Sequence, residues 1–357
     1  MTIRSAERIA PPALSLVVAA LVLVPLVAIV AGALREPAGI GLQPLRAVFG
    51  ATHIIENTLL LGVGATIGAV VVGGALAVAL VRVRTPARAV LEPLIVLPLY
   101  VTPLLTAIAW SWLGTPKGGL INVAARGLGI GGAIIDIQGA GGAIFVAALS
   151  AVPVPFLLIG GALRGMDPSL EESARIHGST AVRALGTVTL PLMLPAAAGS
   201  ALLVLVQAMS LFSVPAVLGI PAGFQTAGTE IYRLLNTYPA RLTQAAAWGL
   251  LLLIVTALLV SAQTMLLRGR SFATITGKAF RPRLLEVGGA RWGVAALAWL
   301  YVVLAVALPV ATLIWAAFVD FLTVDPALMR FSLQHIRYVL FDYPKTWLAL
   351  ENSVLLA

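Results

Sequence analysis

Glu171–Pro195, EESARIHGSTAVRALGTVTLPLMLP, is a long polar interruption with internal order in an otherwise apolar chain. It follows Asp167, Pro168 and Ser169, a start that suits a helix N-terminus, with Pro168 near the first turn and Glu171 and Glu172 close behind. A short surface helix is expected to open there. Gly178, followed by Ser179 and Thr180, offers a turn and a fresh N-cap for a second short helix through Leu185. Pro191 and Pro195 then open a new apolar run. The order is helix, glycine turn, helix, membrane.

The rest of the chain supplies that membrane. Of its 357 residues 60% are hydrophobic and only 10% charged, and the mean hydropathy is +1.02, far from a soluble globular domain. Runs of about 20 apolar residues, the length that crosses a bilayer core, fall near residues 13–34, 54–81, 90–113, 141–163, 190–218, 244–267 and 293–318, and an eighth begins around Trp347. These define an all-α, polytopic membrane protein. The first run leads straight into Arg35 and Glu36 without a cleavage signature and is expected to be a retained span.

The net charge of +9 comes from basic residues scattered between apolar runs, which excludes a nucleic-acid-binding module and leaves membrane topology to explain them. Arg4, Arg8, Arg82, Arg84, Arg88, Arg164, Arg175, Arg183 and the cluster from Arg268 to Arg291 fall on one side of the predicted spans. The positive-inside rule puts that side, with the N-terminus and the Glu171–Pro195 loop, in the cytoplasm. There are no cysteines, and His53, His177 and His335 are widely scattered, so no metal site is expected.

Within the spans, Gly62, Gly64, Gly68, Gly73 and Gly74 predict close helix packing, Gly64 and Gly68 forming a GxxxG. Pro93, Pro98 and Pro103 predict a kinked third span. Arg88 and Glu92, four residues apart, are expected to pair, and Trp110 and Trp112 suit an interfacial belt. Gln207, Ser210 and Ser213 have the spacing of one helical face in the fifth span and are candidates for pathway lining or helix-to-helix hydrogen bonding.

An internal repeat organises the chain. LQPLRAVF (Leu42–Phe49) returns as LQHIRYVL (Leu333–Leu340), and Glu56, Asn57, Thr58 return as Glu351, Asn352, Ser353. A duplicated transmembrane unit is expected: a first domain over 1–267 with the polar loop near 165–189, a basic cytoplasmic linker over 268–292 that could touch anionic lipid, and the opening of a second, incomplete domain over 293–357. On this expectation the chain is a fragment that would not transport alone, its missing second half being a further partner.

Glu172, Ser173, Ala174, Gly178, Val188, Thr189, Leu190 and Pro191 carry a family resemblance. Their spacing is similar to the EAA loop of bacterial ABC-importer permeases, E-A-A, three residues, G, nine residues, I-x-L-P, with Ser173 replacing Ala and Val188 replacing Ile. The resemblance implies a type I importer transmembrane domain in the bacterial inner membrane. It implies a docking loop for two ATPase subunits made of Glu171, Glu172, Ser173, Ala174, Gly178, Leu190 and Pro191, with Glu172 offering a carboxylate and Ala174 packing in the ATPase groove. It further implies an external substrate-binding protein as partner. ATP and magnesium would sit on the ATPase; this chain has no GxxxxGK[ST] phosphate loop at Lys117, Lys278 or Lys345, so no cofactor and no enzymatic activity are expected of it.

The double-length plan and the run SLFSVPAVLG (Ser210–Gly219) resemble the fused ferric-iron permeases, with thiamine, polyamine and phosphonate importers as alternatives. An ion-gradient-driven transporter would call for charges buried within spans, and only Glu56 and Glu92, near span ends, come close. A membrane enzyme would call for paired carboxylates, a histidine cluster or a nucleophile with its base at one membrane depth. No such set occurs in the sequence.

Overall fold

The computed structural model describes residues 3–36, 39–267, 288–319 and 330–356. Most of the expected linker, from residue 268 to 287, therefore lies outside the described residues. Helix α1 (Ile3–Ala33) leads through a two-residue hairpin, Arg35–Glu36 against Gly39–Ile40, to the amphipathic α2 (Gln43–Gly50) and the long α3 (Thr52–Arg82). There follow α4 (Arg88–Val96), α5 (Pro103–Gly114), α6 (Leu120–Gly127), α7 (Ala140–Ala151) and α8 (Pro153–Gly165). The polar loop holds α9 (Pro168–Ile176) and α10 (Ala181–Ala184). After it come α11 (Leu190–Met209), α12 (Ala227–Asn236), α13 (Leu242–Leu267), α14 (Ala290–Val302), α15 (Leu308–Ala317), α16 (Gln334–Arg337) and α17 (Thr346–Leu356).

Among the described residues five helices are long and apolar enough to span a membrane: 52–82, 140–165, 185–209, 242–265 and 290–317. The pair Arg88–Leu99 and Pro103–Gly114, bent by 99°, forms a sixth, broken span. The break falls where the prolines foretell it. Thr102 is extended, as the residue before a proline prefers, and Pro103 restarts the helix at its first turn.

Prolines also set the finer irregularities. Four π-helical turns among the described residues, Leu185–Thr189, Pro215–Gly219, Val303–Ala307 and Tyr338–Asp342, each stand just ahead of a proline: Pro191, Pro221, Pro309 and Pro344. In every case the residue four before the proline lies at the centre of the wide turn. Its carbonyl cannot receive the usual i to i−4 bond and would meet the proline ring, so the helix widens there by one residue.

The core lies where α3 packs against α7, α8 and α11. Ideal Cβ atoms on Gly64 and Gly68 would stand 2.9 Å from Ile144 and from Ala148, so the GxxxG pair does let α3 and α7 approach. Trp110 departs from the interfacial expectation. It is buried, edge-on to Phe145 at 5.0 Å, because the 99° bend swings α5 inward against α7. The outward faces keep Leu, Ile and Val exposed, as a lipid-facing surface requires.

The fifth span differs from its expected limit. Instead of reaching 218 it ends at Met209, and Leu211 and Phe212 are not helical. Pro215 has no N–H for the carbonyl of Leu211, so the helix cannot run through. At that end of the bundle the Asn57 amide donates to the carbonyl of Gln225 (3.0 Å), and the buried Thr58 hydroxyl accepts from the Ala227 N–H (2.8 Å), holding the head of α3 to the start of α12.

The two similar sequence stretches begin alike in local structure, although α16 is only four residues long and passes into a π turn where α2 runs for eight. α2 and α16 both begin after a leucine whose carbonyl accepts from the arginine four residues on, Arg46 to Leu42 and Arg337 to Leu333, each at 2.9 Å. Each leads to an apolar helix, α3 or α17, that carries the Glu-Asn-Thr or Glu-Asn-Ser triplet.

Candidate functional site

The polar loop folds as its residues suggest. Asp167 Oδ1 accepts from the Ser169 N–H (2.9 Å) at the head of α9. Gly178 takes φ +87°, a left-handed conformation in which other residues are strained, and the Ser179 N–H returns to the Ala174 carbonyl at 3.0 Å. Thr180 Oγ1 accepts from the Arg183 N–H (3.3 Å) at the start of α10.

Neighbouring glutamates on α9 point in different directions. Glu172 is exposed, as is Ser173, while Ala174 is half-buried. Glu171 turns inward, about 100° around the helix from Glu172. Its Oε1 lies 3.2 Å from Nη2 of Arg82, the last residue of α3, and accepts a short hydrogen bond from the Thr189 hydroxyl ahead of α11. Arg82 is 1% exposed and its Nη2 also lies 3.7 Å from the Met166 sulfur. Glu171 is therefore placed to brace the loop from within, whereas the exposed face of α9 carries Glu172 and Ser173. Leu190 and Pro191 are exposed at the first turn of α11.

A second charged link lies at the same end. Glu92 Oε1 takes Arg88 Nε at 2.9 Å, the i, i+4 pair expected from sequence, and Arg164 Nη2 of α8 at 3.2 Å. These groups are 30–40% exposed and so partly screened by solvent, unlike Arg82.

The candidate pathway residues are not brought together on one helix. Gln207 lines a small cleft of about 30 Å³ with Pro103, Ser150 and Leu211. Ser210 is exposed and donates to the Val206 carbonyl at 3.0 Å. Ser213 lies past the end of α11, half-buried, so the shared helical face does not form.

Sequence reasoning passed over Arg82, which it counted only as one basic residue among many on its side, and Asn122. Asn122 is fully buried in α6. Its amide donates to the carbonyls of Thr115 (3.1 Å) and Ile135 (2.7 Å), and its Oδ1 accepts from the N–H groups of Ile134 (2.9 Å) and Ile135 (3.1 Å). One side chain thus fastens the loop between α5 and α7. Among the described residues no group of three His, Asp or Glu could hold a metal ion.

Five long apolar helices and one broken span packed around α3, with a two-helix polar loop ahead of 185–209, make a multi-pass membrane domain of the type I ABC-importer fold. The chain belongs to the family of binding-protein-dependent transport system inner membrane components, whose profile matches residues 69–271, more than half its length. It is 31% identical over 145 residues to the ferric transport system permease protein FbpB of Actinobacillus pleuropneumoniae, a match covering 41% of this chain and 21% of that one. The chain thus matches about a fifth of that relative's length. To the molybdenum transport system permease protein ModB of Escherichia coli K12 it is 30% identical over 166 residues, 44% of this chain and 68% of ModB. Its fold matches a crystal structure of a bacterial ABC transporter involved in the import of the acidic polysaccharide alginate, with a TM-score of 0.63 at 20% identity, over 75% of this chain and 98% of that one.

Proposed function

We infer that this chain forms part of the membrane pathway of an ATP-driven importer, with ferric iron as its cargo. Separate ATPase subunits dock on the α9–α10 loop from the cytoplasm, where the N-terminus also lies, and an external binding protein delivers the substrate on the opposite side. The observation that carries this reading is the loop itself: an exposed Glu172–Ser173 face, a left-handed glycine turn, and an inward tie from Glu171 to the membrane helices. Movement imposed on such a loop reaches α3 and α11 directly. ATP and magnesium would be held by the ATPase.

Iron is favoured by three relatives named as ferric or Fe(3+) transport permeases, at 31%, 29% and 27% identity. The similarity to ModB supports molybdate as a second reading. Vesicles containing the full permease, its ATPase and its binding protein separate the two: ATP-dependent uptake of radioactive ferric iron, unchanged by excess molybdate, is expected. Uptake of molybdate alone would replace the iron assignment.

Glu172→Ala and Gly178→Leu should leave membrane insertion intact and weaken ATPase retention by about tenfold, one by removing a charged contact and the other by straining the turn. Co-purification of the ATPase measures it, and wild-type retention in both variants would remove the docking role. Cysteines at Ser179 and Thr237 should label from opposite sides of the membrane, Ser179 from the cytoplasm. Labelling of both from outside would refute the orientation.

A further inference from the structure

Arg82 is a charged side chain buried to 99% at the end of a membrane-spanning helix, and its carboxylate partner is on the loop rather than in the bundle. The guanidinium engages through Nη2 alone. Nε and Nη1 are buried without a hydrogen-bond partner among the described residues. A charged fork left two-thirds unused is a poor choice for static stability, since each buried donor without a partner is costly. It is a good choice for a contact that shifts. Nη1 and Nε are two further donors on the same guanidinium, each unclaimed by any other group among the described residues.

The neighbouring contacts give such a shift a direction. Glu171 is shared with Thr189, one residue before α11, so the carboxylate joins α3, α9 and the entry of α11 at one point. The Glu92–Arg164 pair joins α4 to α8 separately and does not touch α9. We propose that Arg82 is a positioning residue for the coupling loop: through Glu171 it keeps α9 in register with α3 and α11 so that motion of a docked ATPase is delivered to the membrane helices. The proposal rests on the docking role inferred above, but the register of α9 can be measured without any ATPase.

In the full permease, spin labels on Ala89→Cys in α4 and Ile176→Cys at the end of α9, both exposed positions, report that register as a distance distribution. Arg82→Met is expected to broaden the distribution. With ATPase and binding protein added, it should retain the ATPase within about twofold of wild type but lose about tenfold or more of binding-protein-stimulated ATP hydrolysis, the size of an ordinary coupling free energy. The charge-swapped pair Arg82→Glu with Glu171→Arg should recover both the narrow distribution and the stimulation. A merely structural role predicts instead that assembly and hydrolysis fall together and that the swap restores neither. Glu171→Gln, which keeps size and removes charge, gives the same label-distance reading if Arg82→Met does not accumulate.

An unchanged distance distribution in a folded Arg82→Met or Glu171→Gln permease would overturn the proposal. So would a broadened distribution with wild-type stimulation. If the wild-type permease fails to retain the ATPase, the docking role falls and the coupling step with it, while the label distances still decide whether Arg82 holds the loop.

Discussion

Gly73→Leu is expected to reduce folded permease in membrane extracts by more than about tenfold, with transport lost in proportion. A Cβ at this position would lie 2.7 Å from the Val152 carbonyl oxygen, 2.8 Å from Pro155 and 3.0 Å from the Phe156 nitrogen. Two of these are backbone atoms at the joint between α7 and α8, so rotamer changes cannot relieve the clash and the helices must separate. Overpacking typically costs about 1–3 kcal/mol, a clash with backbone atoms lies at the upper end, and ~1.4 kcal/mol already corresponds to a factor of ten. Gly74→Leu is the control on the adjacent position, since a Cβ there would only touch Ile159 at 3.4 Å. Size-exclusion profiles of the fluorescently tagged proteins would show the difference; a monodisperse Gly73→Leu peak at wild-type height would contradict the packing described.

Asn122→Ala should loosen the whole segment between α5 and α7. It removes four hydrogen bonds at once from a part-buried segment, leaving the Ile135 carbonyl and the N–H groups of Ile134 and Ile135 without their asparagine partner, while the Thr115 carbonyl keeps the Gly119 N–H. Limited proteolysis within residues 128–134 is expected to accelerate by about tenfold or more while cleavage at the α9–α10 loop stays unchanged. Asn122→Asp should also fail, because a carboxylate accepts but cannot donate to Thr115 and Ile135. Wild-type cleavage rates in both variants would show that the loop is held by other contacts.

Six of the seven complete spans expected were legible because a bilayer imposes length and composition on every crossing helix, and the bend of the third followed from Pro98 and Pro103; the first, expected over 13–34, appears among the described residues only as the shorter apolar stretch Val17–Ala33. The loop's helix, turn and helix followed from Asp167, Pro168 and Gly178, whose backbone demands are local. What stayed hidden depends on direction and depth. Arg82 and Arg84 are two residues apart at the end of the same apolar run, yet the first is buried and the second exposed. Periodicity could not separate Glu171 from Glu172 by role, because the face that meets α3 is set by tertiary packing. Ser213 fell from the expected face for a different reason: the proline two residues later ends the helix before reaching it. Asn122 gave no signal at all, since a lone asparagine in a glycine-rich loop has the composition of ordinary surface.

The helix from Ala290 to Ala317, late in the chain, lies against α4, α5 and α7. Its Tyr301 hydroxyl donates to the Leu149 carbonyl at 3.1 Å, and Ala298, Val302 and Ala305 join the same buried cluster as α3. The helices α4, α5 and α7 therefore complete one buried face only with a segment that lies more than a hundred residues further along the chain. The flank that the broken span 88–114 turns to this helix has no other cover of comparable extent among the described residues, so removing residues 290–317 is expected to bare it. A chain cut short before Ala290 should therefore be cleaved faster by protease at α5 than the longer chain, with Trp110 and Phe145 less well covered.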